Sequence, residues 1–184
     1  MPQVSIPVVG LAAWSGTGKT SLLVKLIRLF RKHNLRTGVI KHAHHTFEID
    51  YPGKDSYELR KAGAEQVLIG SRKRWALIVE REQEEELDFE DYLRLIVQDG
   101  PDIIMVEGFK PETIPKIELH RRELNKPFLF PEDSSIIAIA IDQPQGLDTP
   151  LPVLDLNNPG QISEFIIDRF LLKHKIAEYQ TGKL

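Results

Sequence analysis

The sequence has no cysteine in its 184 residues. That single absence excludes disulfide scaffolds, thiolate nucleophiles and cysteine-ligated zinc or iron–sulfur centres, and leaves any metal to oxygen or imidazole ligands. No stretch reaches the ~18 consecutive apolar residues of a membrane span, and the opening MPQVSIPVV lacks the basic start and long apolar core of a signal peptide. The expected compartment is the cytoplasm, with no membrane partner. An excess of one charge is missing too: 24 Lys and Arg stand against 27 Asp and Glu, a formal net charge of −3. Such a balance offers a polyanion no general attraction, so no nucleic-acid partner is expected, whereas a local cationic site for a small anion remains compatible. Internal repeats and low-complexity segments are also absent. With 41% apolar residues the chain can bury one core, so a single domain is expected over residues 1–173, followed by a polar tail at 174–184.

What is present alternates between strand and helix patterns. Ile6 to Ala13 is a short, apolar, β-branched run, as a strand buried on both faces of a parallel sheet requires. After a glycine-rich turn, Leu22, Leu23, Leu26, Ile27 and Phe30 recur at helical spacing within Lys19 to His33, with Lys25, Arg28, Arg31 and Lys32 opposite. Thr37 to Lys41 reads as a second strand, and the polar loop after it carries the turn signal Pro52-Gly53. Asp55 is placed to cap a helix to about Ala62, ahead of a hairpin made by Gln66 to Ile69 and Arg74 to Glu80. An acidic connector, Glu82 to Asp88, leads into a helix with Phe89, Tyr92, Leu93 and Ile96 inward. Strands follow at 102–106, 116–120, 136–141 and 153–156. Asn158, Pro159 and Gln161 then supply a cap, a fixed φ and a reciprocal partner for a last helix whose Ile162, Phe165, Ile166 and Phe170 face inward.

The turn after the first strand is Ala13-Trp14-Ser15-Gly16-Thr17-Gly18-Lys19-Thr20, the Walker A pattern with alanine at its first position. Between a buried strand and an amphipathic helix, this octet predicts a phosphate grip at Ser15, Gly16, Thr17, Gly18, Lys19 and Thr20. Gly16 and Gly18 let successive N–H groups converge on phosphate oxygens, and the helix amino terminus adds partial positive charge. Lys19 would reach the β- and γ-phosphates while the Thr20 hydroxyl ligates Mg2+. The expected fold is therefore α/β: a P-loop NTPase three-layer sandwich with a mostly parallel sheet plus a β-hairpin extension, its ligand at the carboxyl ends of the strands.

A second acid is needed at the end of a neighbouring buried strand, and Asp102-Ile103-Ile104-Met105-Val106-Glu107-Gly108 offers two. At ~3.3 Å per residue they stand ~16 Å apart, so only one can approach the phosphates. Glu107, at the carboxyl end, is the expected Mg2+ ligand or holder of a catalytic water, and Lys19 and Glu107 form the candidate catalytic pair. Gly108 could turn its N–H toward a γ-phosphate. Lys41-His42-Ala43-His44-His45 leaves the second strand toward the same end. Anion binding through Lys41 and His42, a switch answering the γ-phosphate, and part of a metal site on His42 and His44 all fit this loop. Asp50 and Asp55 are candidates for a second Mg2+ contact, Asp55 equally for a helix cap.

Several runs resemble one family closely: AAWSGTGKT, IKHAHH, YPGKDSYELRKAGA from Tyr51 to Ala64, RWAL, EEELD and VEGFK. The family is that of the molybdopterin-guanine dinucleotide biosynthesis adaptor MobB, and the resemblance extends from about Val8 to Phe170. It implies GTP binding with Mg2+, weak GTP hydrolysis, a homodimer, and association with the guanylyltransferase that joins GMP to the molybdenum-bound pterin. Molybdopterin itself is a further ligand compatible with that role. The family's phosphate residues map onto Gly16, Gly18, Lys19 and Thr20, and its acidic strand end onto Glu107. The Asn-Lys-x-Asp signature of many GTPases is absent; Asp142 could accept from the guanine edge or serve as a turn residue before Pro144.

A GTP-binding adaptor is thus the leading reading. With no glutamine just beyond Glu107 to orient water and no arginine finger assignable, slow intrinsic turnover is expected, as low as ~10⁻³ per second. A small-molecule kinase using Arg60, Lys61, Arg72, Lys73 and Arg74 on an acceptor is the alternative on the same scaffold. A nucleic-acid protein using those cations as a patch is a third, against the acidic balance.

Overall fold

The computed structural model describes residues 6–43, 48–81, 87–97 and 100–172. His44, His45, the acidic run 82–86 and the tail expected at 174–184 lie outside the described residues. Where one domain is expected over 1–173, the contacts gather two compact units, Met1–His42 with Phe89–Leu184, and Ala43–Asp88. Within the shorter unit the two strands pair with each other, and Arg60 pairs with Glu48, Asp50 and Glu80.

The larger unit is built on a six-stranded sheet. Its strands are β1 (Val8–Ala13), β2 (Thr37–Lys41), β5 (Ile103–Glu107), β6 (Lys116–His120), β7 (Ile136–Ile141) and β8 (Val153–Asp155). They lie in the order β2-β5-β1-β6-β7-β8, and every pairing is parallel. One face is covered by α1 (Lys19–Lys32) and α4 (Pro159–Ile166): Leu22, Leu23, Leu26, Phe30, Ile162 and Ile166 pack with Val9, Leu11, Ile103 and Met105. The other face is covered by α3 (Phe89–Ile96), where Phe89, Tyr92, Leu93 and Ile96 meet Ile40, Ile104 and Val106. Alternate residues of β5 thus serve opposite faces, which is why the strand reads as an unbroken apolar run. This is the three-layer arrangement expected. The connection from β1 leads through α1 to β2 on one side, and that from β5 crosses to β6 on the other. The strand order therefore reverses between β1 and β5, and their carboxyl ends flank the crevice where such sheets bind ligands.

The last helix departs from its expected start. The Asn158 side chain does accept from the Gln161 N–H at 3.2 Å, with Pro159 in the first turn. Gln161 does not return the favour to its cap; its Oε1 takes the Asp155 N–H at 2.8 Å, because the Asn158 N–H is already turned onto the Asp155 carbonyl at 3.0 Å. Beyond Ile166 the chain widens into a π-helical turn, Ile167–Leu172.

The shorter unit contains α2 (Asp55–Lys61) and an antiparallel hairpin of β3 (Gln66–Gly70) and β4 (Trp75–Val79). Lys54, extended at φ −99 and ψ 139, is the residue preceding α2, and Asp55 sits inside the first turn with Glu58. Asp55 therefore complements the helix dipole rather than capping it. Arg60, 8% exposed, holds Glu48 at 2.9 Å and also pairs with Asp50 and Glu80. The hydrogen bond from Arg60 holds the Asp50 carboxyl below the ordinary aspartate range. A depressed carboxylate pKa stabilises the fold above its unfolded value and loses that effect as pH falls through the folded one. Arg60→Met should accordingly lower the unfolding temperature by several degrees at pH 7, and the difference from wild type should shrink below pH ~4 as the orphaned carboxylates protonate. Thermal unfolding followed by circular dichroism across that range measures it; a difference independent of pH would contradict the assignment.

Candidate functional site

Between β1 and α1 the chain makes the turn the octet predicts. Gly16 and Gly18 have φ of 82 and 98, and a Cβ at either would meet no other atom within 4 Å, so conformation and not crowding requires glycine there. Gly18 precedes α1 with no side-chain cap, and the first turn of the helix holds no acidic residue. The positive end of the helix is left for a ligand to balance. Ser15 and Gly16 are exposed, whereas Thr17 is buried and braces the loop, its hydroxyl donating to the Trp14 carbonyl at 2.8 Å. Lys19 Nζ lies across the loop on the carbonyls of Ala13 and Trp14, at 3.2 and 3.3 Å. Burial lowers its pKa, opposed by Glu107 and reinforced by Lys110. A desolvated ammonium with a second cation beside it is set to exchange two weak carbonyl contacts for an anion.

Glu107 closes β5, in register with Leu11 of β1 and Lys41 of β2. Both its carboxylate oxygens face the Thr20 hydroxyl, at 3.1 and 3.3 Å. Asp102, the competing acid, is bound at the opposite end of the strand, where it takes the Arg36 N–H at 2.7 Å and its guanidinium at 3.2 Å. One hydroxyl and one carboxylate in contact form a hard oxygen donor pair. They suit Mg2+, which takes few protein ligands and completes its shell with water and phosphate oxygens. Glu107 and Thr20 would hold that ion, and its charge would offset that of the phosphates.

The turn beyond Glu107 is tightly specified. Gly108 has φ +98, and a Cβ there would come within 2.8 Å of the His42 Cβ. Phe109 follows at φ 48, also left-handed, and its ring packs on His42, Phe89 and Tyr92 at 4.9, 5.0 and 5.1 Å between centroids. The Lys110 carbonyl is taken by the buried Lys116 ammonium at 2.7 Å, which also pairs with Asp133 at 2.9 Å. His42 is thus part of the wall: its N–H donates to the Glu107 carbonyl at 2.9 Å and its ring leans on Phe109. Among the described residues no cluster of three or more His, Asp or Glu could hold a metal; His44 lies outside them. Asp50 belongs to the shorter unit and its carboxylate is engaged by Arg60. Asp142 follows β7, where Oδ1 accepts the Arg122 N–H at 3.2 Å.

Sequence reasoning missed several residues around the grip. Trp14 donates its indole N–H to the Pro127 carbonyl at 2.8 Å and is flanked by the ammoniums of Lys110 and Lys126, 5.1 and 5.7 Å from its ring. Arg121 Nε donates to the Thr17 carbonyl at 3.0 Å. Lys110, three residues past the strand-end acid, had a positional signal; Arg121 and Lys126 had none.

A family model described as MobB, molybdopterin guanine dinucleotide synthesis protein B, matches residues 8–142. The chain belongs to the MobB family. It is 46% identical over 167 residues to a molybdopterin-guanine dinucleotide biosynthesis adapter protein of Escherichia coli K12, a match covering 90% of this chain and 94% of that one. A Haemophilus influenzae protein with the same description is 42% identical over 164 residues, covering 88% of each chain. Among solved structures, Bacillus subtilis MobB superposes with a TM-score of 0.70 at 22% identity, covering 90% of this chain and 98% of that one, and this likeness concerns the fold.

Because Gly108 is both left-handed and within touching distance of His42, Gly108→Ala should cost about 1–3 kcal/mol of stability. The neighbouring Gly16→Ala, with open space around it, should cost less. Denaturant midpoints of the two variants test the order, and equal losses would mean that the contact with His42 is not limiting.

Proposed function

We propose that this chain binds GTP with Mg2+ at the loop between β1 and α1 and acts as an adapter in molybdopterin guanine dinucleotide biosynthesis, assisting the guanylyltransferase that attaches GMP to the pterin. The observation that carries the reading is the contact of Thr20 with Glu107, which joins two Mg2+-type ligands at the carboxyl end of the sheet beside an uncapped helix. The adapter role rests on family membership and on what the Escherichia coli and Haemophilus influenzae relatives are described as doing. In this reading Ser15 to Thr20 hold the phosphates, Lys19 leaves its carbonyls for the β- and γ-phosphate oxygens, and Glu107 with Thr20 positions the ion. The Gly108 N–H would be a further donor toward the γ-phosphate. Hydrolysis would be slow, since Gly108, Phe109 and Lys110 offer no carboxamide to orient water.

Lys19→Ala should weaken Mg2+–GTP binding by a factor of ~10² or more. Glu107→Gln should retain GDP binding and lose most of the Mg2+-dependent gain for GTP. Calorimetry with and without Mg2+ measures both. The adapter role is tested by mixing the purified chain with the pterin guanylyltransferase in GTP, in GDP and without nucleotide. A complex that forms in none of the three would refute it.

A homodimer belongs to the same proposal. On the hairpin, Leu68 faces Leu77 across the ladder, and Trp75 and Val79 lie on the same face. These four side chains are between 45% and 68% exposed, and a two-stranded ribbon has two open edges. Such a surface is one that soluble chains cover with a partner, here a second copy. Leu77→Asp should halve the mass seen by light scattering at micromolar concentration; a monomeric wild type would overturn the assignment.

A further inference from the structure

Lysines from two separate turns meet at Trp14, in the loop before α1. The Lys110 ammonium lies 5.1 Å from the centre of the indole ring and that of Lys126 lies 5.7 Å from it. The ring is held in turn by the bond from its N–H to the Pro127 carbonyl at 2.8 Å. Among the described residues neither ammonium is ion-paired with a carboxylate. Both side chains are exposed, and an indole face holds an exposed ammonium only weakly. The two cations are therefore collected at the loop without being committed to it.

The backbone of Lys110 is fixed independently of its side chain. Gly108 and Phe109 are successive left-handed residues, at φ 98 and 48, and fold the chain sharply at the end of β5. The Phe109 ring is packed among His42, Phe89 and Tyr92. The Lys110 carbonyl accepts from the Lys116 ammonium at 2.7 Å, and that buried cation keeps its ion pair for Asp133. An enclosed ammonium is costly to leave without partners, so this bond pins the main chain and leaves only the Lys110 side chain free to move.

Which end of a phosphate chain Lys110 would face follows from the loop chemistry. In loops of this pattern the backbone cradles the inner phosphates, the lysine reaches the outer two and Mg2+ bridges them. The outer end then belongs at Lys19 and the Thr20–Glu107 pair, beside the turn that carries Lys110. Burial lowers the Lys19 pKa, Glu107 opposes that shift and the Lys110 charge adds to it, so the two ammoniums act on the same space. Lys19 and Mg2+, with Glu107 against them, leave the outermost phosphate undercompensated. We propose that Lys110 is a ligand of the γ-phosphate and makes the site distinguish a nucleoside triphosphate from a diphosphate. The inference rests on the triphosphate reading given above. With a triphosphate bound, the Lys110 ammonium exchanges the Trp14 ring for a charge-assisted hydrogen bond to the terminal phosphate; with a diphosphate it stays on the ring. The chain thereby supplies in cis a cation that many nucleotide hydrolases take from a partner. Lys126 approaches the ring from the loop after β6 and has no part in this exchange.

The test is calorimetry of the full chain with Mg2+ and either GTP or GDP. Lys110→Ala should weaken GTP by ~10-fold or more, the scale of one hydrogen bond to a charged group, and leave GDP within about threefold of wild type. Lys110→Met keeps an apolar stem against Trp14 without the charge, and should lose as much as the alanine variant. Lys110→Arg keeps the charge and should hold the GTP-to-GDP ratio within about threefold of wild type, as should Lys126→Ala. Three results would each overturn the assignment and leave the phosphate grip standing. These are a ratio unmoved by both the alanine and methionine variants, an equal loss for both nucleotides, and a fall in Lys126→Ala as large as in Lys110→Ala. Failure of the wild type to bind either nucleotide would refute the nucleotide site itself, and this assignment with it.

Discussion

The contact between the Glu107 carboxylate and the Thr20 hydroxyl organises the rest of the larger unit. It brings together residues 87 positions apart, and it depends on register: β5 lies beside β1 with Glu107 opposite Leu11, so the acid emerges level with the loop that leads into α1. A slip of one residue would turn Glu107 to the opposite face of the sheet and leave Thr20 without its partner. The apolar faces prevent that slip, since Ile103 and Met105 are committed to the α1 side and Ile104 and Val106 to the α3 side. Core packing thus sets the geometry of a polar pair at the edge of the core.

Charge buried under the site does comparable service. Lys116 and Glu118 are almost wholly enclosed, and an enclosed charge is costly unless its hydrogen bonds are made. Both direct theirs at the backbone of the loops above. Lys116 holds the Lys110 carbonyl just past Glu107, and Glu118 holds the N–H groups of Leu129 and Phe130. Removing either partner would free a loop that frames the crevice. With Arg121 on the Thr17 carbonyl and Trp14 on Pro127, these bonds join the loop before α1, the turn after β5 and the loop after β6 into one framework.

The pattern of β6 shows where sequence reading stops. Lys116, Ile117, Glu118, Leu119 and His120 alternate polar and apolar, the signature of a strand with one face in water. All five are buried. The face is covered by loops, and loops carry no periodicity from which their path could be read. The same limit applies to Asp50, whose acidity and position in a polar loop suggest a metal contact, whereas in the structure it belongs to the ion cluster of Arg60. His42 presents a similar case, with its ring against Phe109.

The sequence by itself determined what local rules govern. The octet Ala13 to Thr20 needs glycine where φ is positive, helices and strands announce themselves by period, and an acid at the carboxyl end of an apolar strand can lie only at one end of the sheet. From these the three-layer fold and the placing of Glu107, rather than Asp102, beside the loop that leads into α1 both followed. Tertiary structure decided what depends on partners distant in the chain: that both Glu107 oxygens reach Thr20, that Lys110 and Lys126 flank Trp14, and that Gly108 is pressed against His42. Such meetings arise from strand order, register and loop closure acting together, and no window of neighbouring residues contains them.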